Sequence, residues 1–512
     1  MQAGSNPWAE RTIAFVAFRC VWVGILCGLI GPAAALAQPV TVLDPDGRTR
    51  TVEEPFVTGG EFDPAGHAVH SGARRAERQS GMTPTRPSGA TGPTVLGELR
   101  RQLLAGEILS PDHDARRAVY VGARAAERRL TGARRTELGA VRRTLDTIAA
   151  TGQLSPSRQR QLFETLERNR QWWTTGPLLT GGRRLGFAGS ELVWQYYPGQ
   201  GIQLQVLASF GKLNALWSGK RYDARLAALL DELLALPAER GGGLAWEYTF
   251  TFDGGAPPWV SALAQGTAVQ ALARTAIRLG RQDEVLPVAR RALTVFELPP
   301  PVGVRVADGD GAHFLIYSFA PELRVLNGFA QALIGLHDFA GLTGDPQARG
   351  LFEAGDRLAR REVPTFDTGA WSLYSRGSSS RESDLGYHRL VGGFLAGLCA
   401  RTGAEPYCVT REHFRAYERV APIVTLVSRR LKGGAVRRLR FSLSKLSRVG
   451  VEVRLGGRLV LSRPAFAAGR GRRFVEWKVP RRAGTYTVDL TAVDLVGNVG
   501  RATGTLTVRS RP

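Results

Sequence analysis

The chain has 512 residues, 43% of them hydrophobic, and 68 Lys and Arg stand against 45 Asp and Glu for a formal net charge of +23. That length gives room for two or three domains and that apolar content supports a sizeable core, which excludes a chain too polar to fold. The excess charge is nearly all Arg; it reads either as a compositional bias of the encoding genome or as attraction to a polyanion, nucleic acid or acidic polysaccharide.

Residues 1–37 read as a secretory signal. Arg11 and Arg19 precede the apolar run CVWVGILCGLIG, and AAALAQ follows as a small-residue cleavage pattern. Cleavage is placed after Ala37. The alternative, an uncleaved membrane anchor, has an apolar run short for a full span. The expected location is therefore secreted or cell-envelope associated, and nucleic acid is not an expected partner. Cys20 and Cys27 lie in the signal, so Cys399 and Cys408 remain in the turn CARTGAEPYC. They form either a disulfide, which an oxidising compartment allows, or two buried thiols.

Residues 38–95 read as a poorly structured linker of Pro, Gly, Thr and charges, with room for a short strand at Val40–Leu43. Residues 96–175 form a basic helical region. Leu138, Val141 and Leu145 share one helix face, and Ser155-Pro156 marks the start of a further helix. Across 176–420 a glycine turn recurs about every 60 residues, at Gly219, Gly280, Gly344 and Gly403, each between two apolar-periodic helices. The helices expected are Gln203–Leu216 and Ala224–Leu236, Ala262–Leu279 and Glu284–Phe296, Leu326–Leu342 and Gln347–Arg361, and Tyr387–Arg401 and Thr410–Tyr417. Glycine suits the left-handed position just past a helix end. Four such hairpins cannot bury their apolar faces singly and must stack, as an open solenoid or a closed ring. From 421 to 512 the apolar period becomes two, in some seven strands, as in an immunoglobulin-like β-sandwich rich in Arg. This module either holds an acidic polymer or is a basic sandwich without a ligand. The fold class is thus multidomain and mainly α, with helical hairpins and a C-terminal β-sandwich.

Aromatic residues concentrate in the segments leading into the first helix of each hairpin: Trp194, Tyr196 and Tyr197; Trp246, Tyr248 and Trp259; His313 and Tyr317; Trp371 and Tyr374; Tyr387 and His388. If the first helices form an inner ring, these loops meet at one mouth, where rings stack on sugar faces and Arg376 or Arg389 grips a carboxylate. The alternative is that they fill the core between hairpins.

Four segments within Tyr196–Tyr417 carry a resemblance. Pro257–Gly266 reads PPWVSALAQG, Val325–Asp338 reads VLNGFAQALIGLHD, and Tyr374–Arg376 and Gly386-Tyr387-His388 follow. Together they resemble the C-terminal domain of D-glucuronyl C5-epimerases, which invert a uronic acid within a polysaccharide. The resemblance implies an α/α toroid and an isomerase acting on a uronate-containing polysaccharide. Removing and returning a proton alpha to a carboxylate needs an acid/base group on each face of the ring and cations for the enolate-like intermediate. The resemblance implies Tyr387, Tyr317 and Tyr374 as catalytic residues. It also implies Arg376 as a substrate contact; the aromatic loops add Trp259, Tyr196, Tyr197 and His388, and Gln265 and Asn327 of the two helix motifs complete the expected substrate contacts. One position departs: where the family carries a glutamate, this chain has Ile316. Glu322, Asp310 or Glu247 is then the replacement acid, or the chain binds glycan without catalysis. A lyase, which shares the first half-step, and a purely structural envelope protein are the remaining readings. No metal-ligand cluster is visible, so no cofactor is expected.

Overall fold

A computed structural model describes residues 38–54 and 92–509. The signal and most of the expected linker lie outside these residues. The chain is mixed, with twelve α-helices and several sheets among the described residues.

The short strand allowed at Val40–Leu43 is present, and a second strand follows it. Strands β1 (Gln38–Leu43) and β2 (Thr49–Glu54) form a hairpin where composition predicted a linker. β1 pairs in parallel with β3 (Arg184–Phe187), and β4 (Trp194–Tyr197) and β5 (Gly201–Leu204) complete a sheet of order β2-β1-β3-β4-β5. The alternation in PVTVL is the signal, and β3, 140 residues away, supplies the partner that makes it a strand. β5 also takes Gln203 and Leu204 out of the helix expected there.

Helices α1 (Val95–Leu104), α2 (Ser110–Arg129), α3 (Gly132–Ala150) and α4 (Pro156–Thr175) form the basic helical region. Leu138, Val141 and Leu145 are buried, as their spacing predicts. With Leu166, Trp172 and Trp173 they belong to the same apolar core as the hairpins that follow.

The hairpins are α5 (Val206–Ser218) with α6 (Asp223–Leu234), α7 (Ala262–Leu279) with α8 (Gln282–Arg291), α9 (Leu326–Thr343) with α10 (Pro346–Glu362), and α11 (Leu385–Thr402) with α12 (Glu405–Tyr417). Three of the four glycine turns behave as expected: Gly280, Gly344 and Gly403 are left-handed caps with φ of 68°, 70° and 63°. Gly219 is not, with φ −72°; a Cβ there would meet the Tyr222 ring at 2.8 Å, so close packing explains that glycine. Cys399 and Cys408 form a disulfide across the last turn.

The first helices lie side by side in chain order, α5 on α7, α7 on α9 and α9 on α11. Glycine permits the closest of these approaches. A Cβ on Gly266 of α7 would meet Ala332 of α9 at 2.7 Å, and a Cβ on Gly335 would collide with the Gly266 carbonyl. Short strands fill the junctions: β6 (Ala238–Arg240) with β7 (Gly243–Ala245), β8 (Arg305–Asp308) with β9 (Gly311–Phe314), and β10 (Leu323–Val325) with β11 (Leu373–Gly377) and β12 (Arg381–Glu382).

The C-terminal segment has eight strands: β13 (Val424–Leu426), β14 (Arg430–Lys432), β15 (Val436–Leu443), β16 (Ser447–Leu455), β17 (Arg458–Ala468), β18 (Gly471–Lys478), β19 (Gly484–Asp494) and β20 (Val499–Arg509). They make two sheets, β13-β15-β18 and β14-β20-β19-β16-β17, and both contribute to one core around Leu439, Phe441, Val451, Trp477, Tyr486 and Val488. Lys445 anchors this module. Its ammonium pairs with the buried Asp494 at 2.7 Å and donates to the Tyr417 and Val420 carbonyls at the end of the last hairpin.

Candidate functional site

The N-termini of α7, α9 and α11 and strand β11 bring four of the expected residues together. Trp259 precedes α7, Tyr317 precedes α9, Tyr374 lies on β11 and Tyr387 is in the first turn of α11. Ring centroids of Trp259 and Tyr317 are 5.7 Å apart, and those of Tyr374 and Tyr387 are 5.0 Å apart. A hydrogen bond joins the Tyr317 and Tyr374 hydroxyls. A pocket opens beside Trp259, Tyr317 and Tyr387, lined also by Leu207, Tyr248, Ser261, Leu263 and Ile316.

Local structure explains the placement. Ser261 caps α7 by accepting from the Ala264 N–H, and Asp384 caps α11 by accepting from the Tyr387 N–H at 2.9 Å, which fixes where the Tyr387 side chain leaves the helix. Residue 316 is buried beneath the pocket. A Cβ on Gly328 would lie 2.8 Å from that of Ile316, so the isoleucine rests on bare α9 backbone.

Burial sets the protonation of the cluster. It pushes the Tyr317 hydroxyl well above the ordinary phenol value, and neighbouring Tyr374 and Tyr387 add to the shift. Tyr374 is raised by burial too, against the opposing effects of its bond to Tyr317 and the positive charge of Arg381. Tyr248, stacked on Trp259 with centroids 4.2 Å apart, is likewise raised by burial. A guanidinium lowering a tyrosine to serve as base is therefore not what Tyr317 and Tyr374 show.

Two charged groups missed in the sequence act on the cluster. Arg381, exposed on β12, lowers Tyr374. The charge of Asp253 raises both Tyr317 and Tyr374. Asp253 and Gly254 have φ of 45° and 86°, the two left-handed positions of a tight hairpin turn, and Asp-Gly is the dipeptide that favours it. The arms of that hairpin carry Phe252 and Trp259, whose rings both pack within 6 Å of Tyr317. Gly255 is pressed against Phe319, leaving no space for a side chain. The turn thus presents an exposed carboxylate whose charge is felt at the tyrosines, and its sequence signal was DGG between aromatic segments.

The other expected contacts already have partners within the protein. His388 is buried and stacked on Trp371 at 3.6 Å; one ring nitrogen meets the Ser372 hydroxyl at 2.8 Å and the other the Phe414 carbonyl at 2.9 Å. Burial lowers its pKa, and neither nitrogen is left for a ligand. The Gln265 amide donates to the Trp246 carbonyl and its oxygen accepts from the Trp246 N–H, bracing the loop ahead of α7. Tyr196 points toward the basic helices and donates to Glu137 at 2.8 Å. Tyr197 accepts from the Gln205 amide and stands 4.6 Å from Phe250, behind the aromatic wall. Asn327 is buried in the first turn of α9, where its oxygen accepts from the Gly328 N–H. Arg376 donates to Thr365 and lies over Phe366, and Arg389 pairs with Glu418. The tryptophans at 246, 259 and 371 are pillars of the core, each donating its indole N–H to a backbone carbonyl.

The named replacement acids fare no better. Glu247 is buried between Arg158 at 2.7 Å and Arg240 at 2.6 Å. Asp310 pairs with Arg361 and Arg357 at the β8–β9 turn. Glu322 is exposed just before β10. Among the described residues no group of three or more His, Cys, Asp or Glu is placed to hold a metal ion, and no helix is long and apolar enough to cross a membrane.

Residues 240–416 match the family model described as D-glucuronyl C5-epimerase C-terminus. The chain is similar to a D-glucuronyl C5-epimerase of Caenorhabditis elegans, 31% identical over 131 residues, which is 23% of this chain and 21% of that protein. It is also similar to an uncharacterized protein of Methanocaldococcus jannaschii, 27% identical over 172 residues, 32% of this chain and 54% of that protein. The chain thus spans about a fifth of one relative and about half of the other.

Proposed function

Residues 240–416 belong to the D-glucuronyl C5-epimerase C-terminal family, and from that premise we propose that the tyrosine cluster is a proton-transfer site for a uronate residue in an acidic polysaccharide. The observation that carries this reading is that Tyr317 and Tyr387 line one pocket, with Tyr374 packed on Tyr387 and the charges of Asp253 and Arg381 felt by the cluster. Asp253 takes the proton from C5, the C–H electron pair passes into the carboxylate as an enediolate, and Arg381 offsets the added charge. The Tyr387 hydroxyl returns a proton to the opposite face and is reprotonated from solvent, while Asp253 releases its proton to water. Tyr317 and Tyr374, held protonated by burial, donate hydrogen bonds to the intermediate. The row of first helices is read as the arc of an α/α toroid, and the C-terminal module as an immunoglobulin-like sandwich. The protein is read as secreted or envelope-associated.

A second reading has its own support. Ile316 fills the place of the family glutamate and packs on Gly328, so the pocket can serve binding alone. NMR of the protein with uronate oligosaccharides in deuterated water separates the readings. Deuterium at C5 with both epimers present supports epimerisation. An unsaturated, ultraviolet-absorbing product indicates a lyase, and saturable binding without exchange indicates the glycan-binding protein.

A further inference from the structure

Both sheets of the C-terminal module present cations outward, but only one sets them around an exposed aromatic ring. On β13-β15-β18, the residues alternating with buried Leu439, Phe441, Val475 and Trp477 face outward. Cross-strand register places Arg438 opposite Glu476, Arg440 opposite Phe474, Ser442 opposite Arg472 and Val436 opposite Lys478. Four cations and one carboxylate therefore share this face. Among the described residues only Arg438 has an acidic partner there, Glu476 at a loose 3.9 Å. Phe474 is 44% exposed, and the Arg438 guanidinium lies over its ring at 4.4 Å. The outward face of the other sheet is different. It carries Arg430, Lys432, Arg448, Arg501 and Arg509 among threonines, its Arg454 is matched by both Glu452 and Asp489, and among the described residues none of these cations lies over an exposed ring. An arginine bias accounts for cations on both faces but not for an exposed phenylalanine set among them on one.

We infer that the outward face of β15 and β18, built on Arg438, Arg440, Arg472, Lys478 and Phe474, is a docking surface for an acidic polysaccharide. The shape suits a polymer: Arg472 and Lys478 are six residues apart on one strand, roughly 20 Å, longer than one sugar ring. An aromatic ring flanked by guanidinium groups offers a pyranose a stacking surface and its carboxylates charge-assisted partners. The face is also tied to the candidate site. Glu382 of β12, in the sheet that holds Tyr374, accepts from the Arg470 N–H at 2.8 Å and the Leu446 N–H at 3.0 Å; Arg470 is two residues before Arg472.

The inference rests on the proposed substrate class but not on catalysis. The test uses the full chain, immobilised polyglucuronate as probe, neutral dextran as control and a single-stranded oligonucleotide as competitor. The variant Arg438→Ser/Arg440→Ser/Arg472→Ser changes only exposed side chains, and Phe474→Ser gives a second, charge-neutral change. Both variants are expected to keep the parental melting temperature and hydrogen exchange on short uronate oligosaccharides. The triple variant should lose about tenfold or more in polyglucuronate affinity at low salt, with a flatter salt dependence. Unchanged polyglucuronate binding in both variants overturns the inference. So does an oligonucleotide that binds the parent more tightly than polyglucuronate and is lost from the triple variant. Parental binding to polyglucuronate through this face with no exchange at C5 would instead sink the catalytic reading and leave the docking surface standing.

Discussion

Burial holds the Tyr317 and Tyr374 hydroxyls protonated through neutral pH, so they can give a proton or a hydrogen bond but not begin by taking one. The chemistry then needs a carboxylate, and Asp253 is the one whose charge reaches both tyrosines. Asp253→Asn is expected to lower the rate of C5 exchange by about 10²-fold or more with little change in melting temperature, as measured by NMR and calorimetry. Equal rates in parent and variant would remove Asp253 from the mechanism. The tyrosines were legible in the sequence because their segments are unusual. Asp253 was not, since its role comes from a hairpin turn that brings its charge to residues 64 positions further on. His388 and Gln265 misled for a related reason: a polar residue in a distinctive segment can be there to satisfy backbone, as both are here.

The helix row is held by two devices that the glycine-turn pattern did not reveal. One is the glycine contact between α7 and α9. Gly335→Ala should cost about 1–3 kcal/mol by forcing these helices apart, read as a lower urea midpoint; an unchanged midpoint would show that the helices can separate freely. The other is Asp338, on the far turns of α9, which accepts from Arg274 at 2.8 Å, Arg401 at 2.7 Å and Gln270 at 2.7 Å, joining α7, α9 and α11. Burial alone would raise its pKa, but the Arg401 bonds and charge outweigh it and hold it at about 2. Because the folded value lies below the unfolded one near 3.9, the unfolded chain binds more protons as pH falls. The contribution of about 2 kcal/mol is therefore complete above about pH 4 and fades toward pH 2. Asp338→Asn should lower stability at pH 7 and flatten the acid limb between pH 4 and 2, measured by urea unfolding across pH. An unaltered acid limb would assign acid sensitivity to other carboxylates. The aspartate itself was visible in GLHD, but its three partners come from separate hairpins and have no sequence spacing to betray them.

At the scale of the whole molecule, three regions that composition separates are joined through buried charges. Glu247 ties α4 to the β6–β7 junction through Arg158 and Arg240, and Lys445 with Asp494 fastens the C-terminal module to the last hairpin. Removing one partner of such a buried pair costs about 3–5 kcal/mol. Lys445→Ala should split the thermal transition in two, the module melting apart from the helical body, as seen by calorimetry; one unsplit transition at the parental temperature would contradict this. The change from helical to strand period near residue 421 was plain in the sequence, because it reflects local side-chain alternation. The hairpin at 38–54 was not, because its place in a sheet depends on β3, far along the chain. The central claim, that these regions position a uronate proton-transfer site, is tested most directly by deuterium incorporation at C5 of a uronate oligosaccharide, comparing the parent protein with Tyr387→Phe. The expected result is incorporation by the parent and its loss in the variant with the fold intact. Full exchange by Tyr387→Phe, or none by the parent with any uronate polymer tried, would contradict the account.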